Sequence, residues 1–191
     1  MNRTVKLAIG SLIFNLAFSA YNLIFGITSD SWWMLTLGTY YLILSIVRFF
    51  AILSDKNQKL TKKITGVMLM VLSIPLIGTV ILSVVRDRGH ELHMIIMIAM
   101  AAYSFTKITF ATLNLIKSHR SSSAQLLTLR NISFADAVVS IFALQRSMLV
   151  SFEGMTESEI QLMNALLGCA VCVIVFLLGF NLVISNKKGS R

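Results

Sequence analysis

Six apolar runs, at 5–27, 32–54, 64–85, 93–117, 131–152 and 160–185, constrain this chain more than any other feature. A bilayer core of about 30 Å takes about 20 helical residues, each rising about 1.5 Å, and every run is at least that long. Hydrocarbon offers no water to a backbone N–H or C=O, so a spanning segment must be a helix or part of a closed barrel. Barrel strands are about 10 residues long and alternate apolar with polar side chains. These runs do neither. The expected fold is all-α, a polytopic membrane protein whose single domain, 1–191, holds six transmembrane helices. The first run has a basic start, but its apolar stretch is too long for a signal peptide and no small-x-small cleavage site follows it, so it reads as a span.

Only 13% of the residues are charged, against about a quarter in an average soluble chain. Lys+Arg outnumber Asp+Glu by 17 to 8, a net charge of +9. In a soluble protein that excess would suggest nucleic acid. Here the cations fall between apolar runs, so the excess reads as topology, and no nucleic-acid partner is expected. Arg3 and Lys6 precede the first run. Lys56, Lys59, Lys62 and Lys63 lie between the second and third, Lys117, Arg120 and Arg130 between the fourth and fifth, and Lys187, Lys188 and Arg191 follow the sixth. The opposite side has Arg86 and Arg88 among Asp30, Asp87, Glu91, Glu153, Glu157 and Glu159. The positive-inside rule then predicts a multi-pass cell-membrane protein with both termini and the basic loops in the cytoplasm.

The ends of runs two, four and six resemble one another: FAILSDK (50–56), NLIKSHR (114–120) and NLVISNK (181–187). Their spacing is close to a third of the chain, which suggests a weak threefold repeat of hairpins around a central axis. Six evenly spaced spans with basic loops would show the same period without any repeat.

Polar residues inside the runs fall on helical faces. Ser11, Asn15, Ser19 and Asn22 share one face of the first run, Tyr41, Ser45 and Arg48 one of the second, Ser104, Lys107, Asn114 and Ser118 one of the fourth, and Ser133, Asp136, Ser140 and Ser147 one of the fifth. Ser and Asn in such positions commonly hold helices together. A charge at mid-membrane costs about 2.5–3.5 kcal/mol on insertion scales, so Arg48, Lys107 and Asp136 need partners. Counted from the ends of their runs, all three lie in the cytoplasmic half, within reach of one cluster. Two cations against one acid would favour an anionic small solute, with Asn15, Ser19, Asn22 and Ser140 lining the site. Arg146, near the outer end of its run, is expected to snorkel to the interface. Asn164, Gly168 and Cys172 form a small-residue face suited to close helix contact.

Other chemistry is weakly supported. Cys169 and Cys172 are a C-x-x-C pair in an apolar run without a relaying pair, and are expected to pack. HELH (90–93) spaces its histidines i, i+3 rather than the i, i+4 of a zinc helix. No nucleophile elbow or phosphate loop is present, so neither an enzyme nor a cofactor is expected. Two functions remain: a transporter or solute-binding membrane subunit with a polar site inside the bundle, or a sensor, assembly or regulatory subunit acting through helix contacts with a membrane partner or a second copy.

Overall fold

The computed structural model describes residues 3–53, 58–85, 94–118, 124–151 and 155–188. Six α-helices occupy them: Arg3–Thr28 (α1), Trp32–Leu53 (α2), Gln58–Val85 (α3), Met94–Ser118 (α4), Ala124–Ser151 (α5) and Glu157–Lys188 (α6). Among these residues five stretches, in α1, α2, α3, α5 and α6, are long and apolar enough to cross a membrane. The outward faces carry large apolar side chains such as Ile24, Phe50, Ile74, Phe105 and Leu166, a surface suited to lipid. HELH (90–93) lies outside the described residues.

Several helices outrun the apolar stretches that predict them. α3 begins at Gln58 and α5 at Ala124, six and seven residues before their runs. A helix need not stop where hydrocarbon does, because water satisfies its side chains while its backbone bonds continue.

Local signals fix the connections. Ser31 N–H donates to the Gly26 carbonyl and Ser29 N–H to the Phe25 carbonyl, each at 2.9 Å. Between them Asp30 takes φ of 50°. This is the six-to-one closure of a Schellman turn, with aspartate in the left-handed position that glycine usually fills. It reverses the chain within a few residues and packs α1 against α2. At the start of α6, Thr156 and Glu159 form a capping box. The Glu159 carboxylate accepts from Thr156 N–H at 2.8 Å, and the Thr156 hydroxyl accepts from Glu159 N–H at 3.4 Å. Gln125, at the head of α5, donates to the carbonyls of Ala51 and Ile52 in the last turn of α2.

Packing is not in sequential hairpins. α1 pairs with α2, but α3 pairs most closely with α6 and α4 with α5, while α3 and α4 do not touch among the described residues. The hairpin repeat therefore does not describe how the helices pair. Glycine explains the α3–α6 pairing: a Cβ on Gly179 would lie 2.6 Å from the Gly66 carbonyl oxygen, and one on Gly66 2.8 Å from the Gly179 oxygen. The two backbones meet where neither has a side chain. Asn164, Gly168 and Cys172 lie on the same buried face of α6, with Gly168 against Val80, as the small-residue spacing predicts.

α5 touches all five other helices. It is the least apolar of the five membrane-length stretches and also the most enclosed. Among the described side chains, none of the large exposed apolar ones belongs to it. In lipid this is the expected sorting, since polar side chains are least costly where other helices cover them.

Candidate functional site

The carboxylate of Asp136, on the enclosed helix α5, is the centre of a polar cluster drawn from four helices. Arg48 of α2 donates from Nη2 to Oδ2 at 3.0 Å, and Lys107 of α4 from Nζ to Oδ1 at 2.5 Å. Asn15 of α1 donates to Oδ2 at 2.8 Å, and the Ser11 hydroxyl approaches the same oxygen at 3.4 Å. Ser11 in turn accepts from Arg48 Nη1. Lys107 also donates to the Ser140 hydroxyl at 2.9 Å and to Asn15 Oδ1 at 3.4 Å. Ser140 contacts the Tyr41 hydroxyl at 3.0 Å, and Lys107 stands 5.7 Å from the centre of the Tyr41 ring. A cation facing an aromatic ring gains about 0.5–2 kcal/mol, more when water is absent.

Burial makes this arrangement energetically demanding. The side chains of Arg48 and Asp136 are wholly enclosed, and that of Lys107 is 11% exposed. Removing each ion from water costs several kcal/mol, which attraction offsets only where geometry is good and remaining lone pairs are filled. Both carboxylate oxygens are filled here, by charge-assisted donors that form the stronger class of hydrogen bond. The cations are less completely matched. Among the described residues, two positive groups share one negative group, and Arg48 Nε is buried with no acceptor.

Of the residues the sequence nominates, Arg48, Lys107, Asp136, Asn15 and Ser140 come together. Ser19 and Asn22 lie on the same face of α1 and are buried, but bond elsewhere. Ser19 donates to the Gly38 carbonyl of α2 at 2.7 Å, and Asn22 turns back to the Phe18 carbonyl of its own helix at 2.7 Å. The face of α1 that meets α5 near Asn15 meets α2 a turn later. Ser11 and Tyr41 belong to the cluster and stand on the predicted stripes, yet only their contacts mark them as members.

Arg146 departs from expectation. It does not reach outward to an interface: it is 2% exposed, with its guanidinium carbon 4.3 Å from the centre of the Trp33 ring. A desolvated guanidinium stacked on an indole face gains about 2 kcal/mol, an alternative to snorkelling that position along the run does not reveal. Tyr40, wholly buried one residue from Tyr41, packs edge-on to it at 5.5 Å, and its hydroxyl has no hydrogen-bond partner among the described residues. Cys172 is buried as the packing expectation requires, whereas Cys169 faces outward and is exposed.

No family model, curated protein or solved structure matches this chain.

Proposed function

We propose that this chain is a six-span integral membrane protein with both termini and its basic loops in the cytoplasm, and that it acts as a transporter or solute-binding membrane subunit. The polar cluster is its solute site, and the solute is anionic. One observation carries the reading: among the described residues Arg48 and Lys107 share the carboxylate of Asp136, and Arg48 Nε has no acceptor. A buried group left with excess positive charge and an open donor is suited to a small anion, which would complete both. Topology rests on the charge asymmetry of the loops, and the sixth span is α4, which is 25 residues long.

The test is thermal unfolding of the detergent-purified protein against small anions, metabolites and lipids, in the wild type and in Lys107→Met. A bound solute raises the unfolding temperature in a concentration-dependent way. The reading requires at least one anion to stabilise the wild type and to lose that effect in Lys107→Met. Stabilisation by no anion removes it.

A second reading is supported by the filling of both Asp136 oxygens from within the chain. In it the cluster is a lock that fixes helix register in an assembly or regulatory subunit. Lys107→Met and Asp136→Asn would then each destabilise the protein, the double change would restore much of the loss, and no anion would raise the unfolding temperature of the wild type.

A further inference from the structure

The cluster is closed on most sides, and the way α1 and α4 are held shows where it is not. Among the described residues the backbone of α4 comes close to that of α5 alone, and that of α1 to those of α2 and α5. α1 and α4 do not pack on each other among the described residues. The Lys107 ammonium reaches across to Asn15 of α1 at 3.4 Å. Lys107 is also the one charged member of the cluster that is not sealed. It is the fourteenth residue of α4, about 20 Å from one end of the helix and about 17 Å from the other at 1.5 Å per residue. If α4 spans the bilayer, this opening faces lipid tails at mid-depth, with Phe14 on α1 and Phe105 and Phe110 on α4 exposed nearby along the two helices.

We propose that ligand reaches Lys107 and Arg48 sideways from the bilayer, between α1 and α4, and that it is a single-chain amphiphile with one anionic headgroup. This rests on the solute-site reading above and narrows its substrate class. One negative charge complements the two cations that share Asp136, and the open Nε of Arg48 supplies a donor within the cluster. The apolar chain stays among the exposed apolar side chains of α1 and α4, so it need not leave hydrocarbon. A water-soluble anion would have to cross that hydrocarbon to reach the same ammonium, at the cost of shedding its hydration. α4, held by one neighbour, is the element able to yield.

The test uses the full chain in zwitterionic liposomes with a fatty acid carrying a photoreactive diazirine in its acyl chain. Labelled peptides are expected from α1 and α4, competed by dodecanoate and not by its methyl ester. In Lys107→Met labelling should fall about tenfold or more, because a charge-assisted hydrogen bond is lost. The ester comparison is made on the wild type and holds even if that variant folds poorly. Labels spread over α3 and α6, or equal competition by the ester, overturn the proposal. So does crosslinking of α1 and α4 to a second chain in place of the probe, which would make this face a protein interface. If acetate stabilises the protein against heat and dodecanoate does so no better, the lateral route fails and the anion site stands. If neither does but another small anion does, the amphiphile proposal fails and the anion site stands; if no anion does, both fail.

Discussion

Asp136 Oδ2 lies 3.0 Å from Arg48 Nη2, and neither side chain has any exposed surface. The pair joins the most enclosed helix to α2, so removing one partner strands the other. Asp136→Asn should lower stability by about 3–5 kcal/mol, the range for an uncompensated buried charge. Lys107→Met in the same chain should recover part of that loss. Chemical denaturation in detergent, run as a double-mutant cycle, measures the coupling, and additive effects would show that the three charges do not act together.

The glycine crossing of α3 and α6 should tolerate almost nothing. In Gly179→Ala the new methyl would meet a backbone oxygen, which cannot rotate away as a side chain can. Overpacking of this kind costs about 1–3 kcal/mol, and the same cost is expected from Gly66→Ala. Gly78→Ala, on the same helix with open space at its Cβ position, is the control and should be neutral or slightly stabilising. Thermal melts followed by circular dichroism would separate the three.

Arg146→Lys keeps the charge and loses the planar face that stacks on Trp33. It should cost about 1 kcal/mol, and unlike Arg146→Met it leaves a compact ammonium that gains less from an indole. The emission of Trp33, read in a Trp32→Phe background, should change in both variants. An unchanged spectrum would contradict the stack.

Ser19→Ala removes a hydrogen bond to a carbonyl that lies within helix α2, so its loss should be small, about 0.6 kcal/mol. Thr156→Ala opens the capping box of α6 and should cost about 1 kcal/mol. The order of these two effects in one denaturation series checks whether a buried serine bond in this bundle is worth less than an exposed cap.

The elements of the fold are legible because apolar run length and backbone satisfaction leave few choices, and six helices emerge where six runs stand. The central cluster is legible for a related reason: Arg48, Lys107 and Asp136 are too costly to leave apart, and counting residues along each run puts them at comparable depth. Neighbour choice is not legible. Ser19 and Asn15 share a face, yet only the crossing of α1 over two different helices sends one to Gly38 and the other to Asp136. Arg146 shows the same limit, since periodicity says nothing about an indole waiting on another helix. Pairing of α3 with α6 depends on two glycines far apart in sequence, and loop lengths alone favour sequential neighbours.

The enclosure of α5 has a consequence for how the protein is made. Arg48 leaves the ribosome 88 residues before Asp136 does, and the helix carrying that aspartate is the least apolar of the five membrane-length stretches. In a bilayer, two helices with unbalanced charge would wait for a third, which is the least apolar of the membrane-length stretches. Each half of the cluster would make the other's burial in lipid tolerable, so assembly in a bilayer would be completed late, by the helix that carries the shared acid.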